Sequence, residues 1–213
     1  MKFNRPLIIV HILTLASLAC FSASTQSVPS DILFSDDFSN TDKTWDQVNN
    51  TSASTDYYKN AYRIMVNDTN INAWANPGKE IFTDVHVEVD ATKNGGPDDN
   101  DYGIICRYTN EDHFYYAVIS SDGYYGIMKM TANGGILIGN DSLLESDQII
   151  RGESTNRIRF DCVGPILILY VNGTLIDKQT DSEYTTGNVG LLAGTFDEAG
   201  TDILFDNFYA YKP

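Results

Sequence analysis

The stretch from Asp101 to Met130, DYGIICRYTNEDHFYYAVISSDGYYGIMKM, leaves a chain little choice of fold. It reads as three consecutive antiparallel strands, rich in Tyr, Phe, Ile and Val, which suit a pleated, half-buried surface. Turn residues separate them. Thr109-Asn110-Glu111-Asp112 is the first turn signal, and Asp122-Gly123 is the dipeptide of a two-residue type I′ hairpin. With Asn110-Glu111 as the first turn, Tyr108 pairs with His113 and Cys106 with Tyr115. With Asp122-Gly123 as the second, Ser121 pairs with Tyr124 and Val118 with Ile127. One face then collects Ile104, Cys106, Ala117, Ile119 and Met128, a core. A slip of one residue exchanges the two faces.

The same grammar runs through the rest of the chain. Phe82 to Thr92 alternates strictly, with Val85, Val87, Val89 and Ala91 on one side and His86, Glu88 and Asp90 on the other, a strand with one wet face. Arg157 to Cys162 and Ile166 to Val171 form a hairpin about Gly164-Pro165, whose apolar side is Ile158, Phe160, Cys162, Leu167 and Leu169. Asn172-Gly173 turns the chain into Thr174 to Gln179. Tyr62 to Val66, Ile136 to Ile138, Val189 to Ala193 and Ile203 to Tyr211 are further strands, and Ser142 to Glu153 is a loop. No segment sustains a 3.6-residue apolar period over a helix length. About a dozen short strands without a composition break imply one all-β sandwich or barrel.

The first residues read differently. Lys2 and Arg5 precede an apolar run from Leu7 to Ala19, followed by small and polar residues, the pattern of a secretory signal peptide. The run is shorter than the roughly 20 residues of a membrane-spanning helix, and nothing later qualifies. A cut after Ser24 puts Ser22 and Ser24 at the recognition positions, giving a leader over 1–24, a short linker over 25–32 and one domain over 33–213. The alternative is a lipid anchor on Cys20, which Ser17-Leu18-Ala19 matches poorly. The expected location is therefore outside the cell, free or held through Cys20.

Export bears on charge and on cysteine. Loss of the leader leaves 12 basic residues against 29 acidic ones, a net charge of −17. Such a chain avoids nucleic acid and anionic membranes; its carboxylates serve solubility or hold calcium. Cys106 and Cys162 remain, an even pair that an oxidising compartment favours as a disulfide, with two buried free thiols as the alternative.

Several motifs together resemble the concanavalin A-like lectin/glucanase superfamily, and within it the laminin G-like jelly-roll domains of secreted bacterial proteins. They are Phe34-Ser35-Asp36-Asp37-Phe38, Gly103-Ile104-Ile105-Cys106-Arg107, Ile119 to Gly126, Leu169-Tyr170-Val171-Asn172-Gly173, Gly190 to Thr195 and Phe205-Asp206-Asn207-Phe208. The resemblance implies a two-sheet antiparallel jelly-roll β-sandwich with a concave face where relatives bind sugar, and neighbouring first and last strands. It further implies a structural calcium at Asp37 and Asp206 of those strands; turn-capping aspartates are the competing reading.

A glucanase of this superfamily carries Glu-x-Asp-x-Glu on a strand. Here Glu88 and Asp90 begin that motif, but Thr92 or Lys93 stands where the second Glu belongs. The register puts Arg107, Tyr116, Tyr125, Lys129, Arg159, Asp161 and Tyr170 opposite the core. Rings that stack on sugar C–H faces, beside side chains that bond hydroxyls, suit a glycan. The expected activity is thus non-catalytic binding of carbohydrate or another extracellular or cell-surface partner through that face. The alternatives are a hydrolase using Glu88 or Asp90, of glucanase or keto-disaccharide hydrolase type, and a structural or adhesive domain with no small-molecule site.

Overall fold

A computed structural model describes residues 31–42 and 45–213. The expected leader, and Cys20 with it, lie outside the described residues. Sixteen strands, and no helix, make up the described part. They are β1 (Ile32–Asp36), β2 (Val48–Asn49), β3 (Ala53–Tyr58), β4 (Ala61–Val66), β5 (Asn72–Ala75), β6 (Val85–Gly95), β7 (Asn100–Asn110) and β8 (His113–Ile119). The second half adds β9 (Tyr124–Thr131), β10 (Gly134–Leu137), β11 (Leu144–Glu145), β12 (Thr155–Val163), β13 (Ile166–Val171), β14 (Thr174–Thr180), β15 (Asn188–Thr195) and β16 (Thr201–Tyr211).

The strands form two antiparallel sheets stacked as a jelly-roll sandwich. A nine-stranded sheet runs β14-β13-β12-β6-β16-β4-β3-β2, with β1 also on β16, and a seven-stranded sheet runs β10-β9-β8-β7-β15-β5, with β11 on β9. The first and last strands pair, with Ser35 opposite Tyr209 and Asp36 opposite Phe208. Alternation decides what each strand buries. In β6, Val85, Val87, Val89 and Ala91 are inside while His86, Glu88 and Asp90 are half-exposed. The β12–β13 hairpin pairs Cys162 with Leu167 and Ile158 with Val171, and Asn172 and Gly173, both at positive φ, make the tight turn into β14. Between the sheets Ile158, Phe160 and Cys162 meet Ile104, Cys106, Ala117 and Ile127 in one core.

The Cys106–Cys162 disulfide joins β7 of one sheet to β12 of the other across that core. Its neighbour Arg107 reinforces the junction. Arg107 sits in a bulge at a φ of 55°, and its buried guanidinium donates to the carbonyls of Gly164 at 2.6 Å, Tyr184 at 2.7 Å and Thr83 at 3.4 Å. One side chain thereby gathers three loops at one end of the sandwich. Burial holds the guanidinium below its ordinary pKa.

Two registers differ from expectation. In the first hairpin Cys106 does face Tyr115, but the bulge over Arg107–Thr109 moves the turn to Glu111-Asp112 and pairs Asn110, not Tyr108, with His113. In the second, Val118 faces Gly126 and Ala117 faces Ile127. The loop there has three residues, with Ser120 and Tyr124 closing it and only Gly123 at positive φ. The Ser120 hydroxyl accepts from Tyr124 N at 2.8 Å and donates to Asp122, so Ser120 and Asp122 serve as turn residues. The consequence is a one-residue shift of β9, which puts Ile127 in the core and Met128 on the outer side. The polar strands β2, β3 and β5 were also not anticipated; Asn, Ser, Thr and Asp conceal their alternation.

Candidate functional site

The residues expected to share a ligand face are dispersed. Arg107 is committed to the loop clamp. Tyr125, moved by the β9 shift, points into the core. Lys129 bonds Asp181 at 2.6 Å and Glu183 at 2.9 Å, an ion pair that raises its pKa. Arg159 and Tyr170 lie on the other sheet, where β12 and β13 are paired side by side. There the Arg159 guanidinium sits 4.9 Å from the Tyr170 ring centre and 5.6 Å from that of Tyr211, and bonds both oxygens of Asp161, at 2.6 and 2.9 Å. Asp161 also meets His86 at 2.6 Å. Glu88 and Asp90 are on this same face, held by Arg157 at 2.9 and 3.2 Å. The partial glucanase motif is thus part of a paired charge network. Of the expected ligand residues, Tyr116 alone stands on the outer face of the seven-stranded sheet.

Asp37 and Asp206 are engaged close to home. Asp37 accepts from the Ser39 backbone and hydroxyl, and Asp206 from Asn207 N. The buried carboxylate that pins the first strand is Asp36, which accepts from Phe38 N and from the Trp45 indole at 3.0 Å. No three His, Cys, Asp or Glu side chains among the described residues gather around one point.

The outer face around Tyr116 has the makings of a site. Strand pairing lays out one row as Trp74, Leu192, Gly103, Val118 and Gly126, and the next as Gly190, Ile105, Tyr116, Met128 and Leu137. Ile105, Phe114, Tyr116, Val118 and Leu192 are buried in a second apolar cluster, with half-buried Trp74, Tyr108, Met128 and Met130 packed on it. The rings are contiguous. Phe114 has its centre 5.7 Å from that of Trp74, 5.4 Å from Tyr108 and 5.5 Å from Tyr116. Trp74 and Tyr108 line a groove of about 540 Å³ that also takes in Asn72, Asp46 and Glu111.

A polar row borders the aromatic one. Gly194 pairs with Asn72 on one side and Asp101 on the other. A second depression, about 510 Å³, is lined by Asn70, Asp99, Ser120, Asp122 and Asp197 among others. Neither lining contains a Lys or Arg. Burial pushes the Asp101 carboxyl up to about 7. Asp99 is raised too, first by burial and then by Asp122, Asp197 and Glu198. The Tyr116 hydroxyl is raised by burial, with a smaller contribution from the Asp101 charge. The groove therefore offers the half-buried rings of Trp74 and Tyr108 beside the acceptor oxygens of Asn72, Asp46 and Glu111.

Comparison with known proteins supports the fold. No protein-family model and no curated protein sequence matches the chain. Among solved structures it resembles the carbohydrate binding module CBM66 from Bacillus subtilis, with a TM-score of 0.64 at 15% identity over 79% of this chain and 95% of that one. A Bacillus subtilis protein of unknown function with a galectin-like fold superimposes with a TM-score of 0.59 at 13% identity, over 86% and 96%. A protein described among endo-acting O-glycanases of the human gut microbiota that initiate mucin breakdown gives 0.58 at 12% identity, over 85% and 99%. At such identities the likeness is one of fold.

Sequence reasoning passed over Asp101, Asn72, Trp74 and Gly194. Asp101 is in phase with Gly103 and Ile105 on β7, and that parity is the signal that places it on the outer face. Trp74 lies in a strand of four residues, too short for its alternation to show. Nothing local marks Gly194 as the gap between Asn72 and Asp101.

Proposed function

We propose that this chain is a secreted, non-catalytic carbohydrate-binding module of the laminin G-like kind, binding glycan through the outer face of the seven-stranded sheet. The observation that carries the reading is the pair of half-buried rings Trp74 and Tyr108, which line one groove and pack on the buried Phe114 ring. A packed sandwich does not require a second apolar cluster there, and saccharide C–H faces suit such rings. The adjoining oxygens of Asn72, Asp46 and Glu111 serve hydroxyl groups. The module named among its structural neighbours is consistent with this use of the fold.

The test is calorimetric titration with the best binder from a glycan array. Trp74→Ala is expected to weaken binding about 30-fold, the cost of losing a central aromatic anchor. An Arg159→Ala/Tyr170→Ala double variant, altered on the other sheet, is expected to bind as wild type. Loss in the double variant with Trp74→Ala unaffected would move the site to the nine-stranded sheet. Release of reducing ends from the bound glycan would make the chain an enzyme and end the non-catalytic reading.

A further inference from the structure

Strand β5 ends one side of the seven-stranded sheet, and no strand among the described residues pairs with its outer edge. The ladder shows which main-chain groups face that edge. Ile71 O accepts from Thr195 N at 3.0 Å, and β5 pairs antiparallel with β15 from there on. In such a ladder alternate residues bond to the partner, so Ile71, Ala73 and Ala75 direct their main-chain groups to β15. Asn72 and Trp74 direct theirs the other way and are left without a ladder partner. Asn76 has the same parity, and there the edge is capped. Its N–H donates to Asp46 Oδ2 at 3.2 Å and its C=O accepts from Asp46 N at 3.1 Å. Past Asp46 the chain turns away and pairs with β3 as β2. Between that β2–β3 hairpin and β5 lies the groove of about 540 Å³, which Asn72 and Trp74 line from one side and Val48, Ala53 and Thr55 from the other.

We infer that the open edge of β5 at Asn72 is an amide-reading subsite, and that the sugar this groove takes is an N-acetylated hexosamine. The inference rests on the carbohydrate reading of the groove and names its sugar. Three features of the lining match three parts of such a sugar. The half-buried rings of Trp74 and Tyr108 suit the C–H face of the pyranose. Val48, Ala53, Ile71 and Ala73 give the acetyl methyl an apolar seat, which a sugar with hydroxyls all round leaves unfilled. The acetamido group supplies what the strand edge lacks. A planar trans amide points its C=O and N–H in opposite directions, so it bridges the groove. Its C=O accepts from the Asn72 N–H, the farther of the two open positions from the Asp46 cap. Its N–H turns to the hairpin side, where Asp46 and Gln47 carry acceptor oxygens. A peptide strand fits this edge less well, because the run from Asn72 to the capped Asn76 is too short for an added strand. An acidic sugar meets Asp46 and Glu111 with no Lys or Arg in the lining, so it gains no countercharge.

The experiment titrates the chain, after removal of its leader, with oligosaccharides of equal length built from N-acetylglucosamine, N-acetylgalactosamine, glucosamine or glucose, and with an extended Thr-Val peptide. Wild type is expected to bind one of the two N-acetylated series about 10-fold or more above glucose and glucosamine, as for a site that hydrogen-bonds a group its rivals lack. Asn72→Pro removes the edge N–H. The position suits proline, being the first residue of an edge strand with its N–H turned outward. Asn72→Ala keeps the N–H and controls for the lost side chain. Asn72→Pro is expected to bind the N-acetylated sugar about 10-fold more weakly than Asn72→Ala does. Should Asn72→Pro fail to fold, the sugar series still decides. Glucose bound as tightly as the N-acetylated sugars, while Trp74→Ala is weakened, overturns the amide subsite and leaves the carbohydrate reading. Equal affinities in Asn72→Pro and Asn72→Ala overturn the part given to the strand edge. Tighter binding of glucosamine makes the groove a cation site and overturns the inference, as does preference for the peptide over every sugar. No binding to any sugar, or binding indifferent to Trp74→Ala, removes the reading on which the inference stands.

Discussion

Replacing Asp101 by Asn should stabilise this protein in alkali and leave it nearly unchanged in acid. Burial raises the carboxyl from its ordinary 3.8 to about 7, so its protonated form is favoured in the folded chain. Below about pH 4 the group is protonated in both states and costs nothing through linkage. Between about 4 and 7 the unfolded chain ionises and the folded one resists, so stability falls as pH rises. Above 7 both are ionised and the full cost stands, on the order of 4 kcal/mol at 1.36 kcal/mol per tenfold change in proton affinity. Asparagine keeps the shape without the charge, and its amide can donate to Asn72 Oδ1 on the far side of Gly194. Urea unfolding of wild type and variant at pH 3.5 and pH 8 measures the difference directly, and the comparison cancels the titration of distant carboxylates. The expected gain at pH 8 corresponds to a Tm about 8–16 °C higher for a domain of this size. An equal effect at the two pH values, or a loss of stability at pH 8, would refute the reasoning. The former would mean that the folded Asp101 titrates normally, and the latter that an unseen partner already satisfies its charge.

The disulfide and its neighbour make a second set of tests. Cys106→Ala/Cys162→Ala opens a link between residues 56 positions apart and is expected to cost about 4 kcal/mol in the chain-entropy description, read as a lower urea midpoint. Arg107→Met strands three carbonyls and is expected to cost about 3 kcal/mol, and Arg107→Lys most of that, because an ammonium cannot span three separate loops as the guanidinium fork does. In that description the disulfide acts on the unfolded chain and Arg107 on the folded one. The two losses should therefore add, and a markedly smaller combined loss would show that the disulfide holds the native junction together. Glu88→Gln/Asp90→Asn should change stability by less than about 1 kcal/mol, as for other partly exposed ion pairs, and should leave glycan affinity as it was in the same titration.

Most of the architecture was legible because it rests on alternation and turn chemistry. The β6 alternation, the β12–β13 hairpin and the Asn172-Gly173 turn follow from local rules that tertiary structure did not override, while the pairing of first and last strands was implied by the family resemblance. The inward position of both cysteines followed from the same parity. The candidate site was largely illegible because its prediction depended on register through two turns. An arginine at positive φ lengthened one, and a Ser120 hydroxyl turned the other into a three-residue loop. A shift of one residue was enough to exchange Ile127 with Met128 and to send Tyr125 inward. Arg159 and Tyr170 kept their predicted parity, but outward on one sheet of a sandwich is the opposite side from outward on the other. Strand parity alone cannot distinguish those sides; only the strand order does.

The positions that defied local reasoning are also the ones a binding surface would require. Gly194 weakens a central strand by offering no side chain to pack, yet it creates the space where Asn72 and Asp101 approach. Asp101 stands in a strand among residues that fit a sheet better, and its burial opposes folding wherever it is ionised. Trp74 lies on a short edge strand and leaves part of its ring to solvent. Each choice lowers the stability of the sandwich, and each is made on the same outer face. Arg107 departs from local rules as well, but three carbonyls compensate it within the fold. Among the described residues no hydrogen-bond partner compensates Asp101 Oδ1. That difference separates a strained residue whose cost is offset within the fold from one whose cost is not.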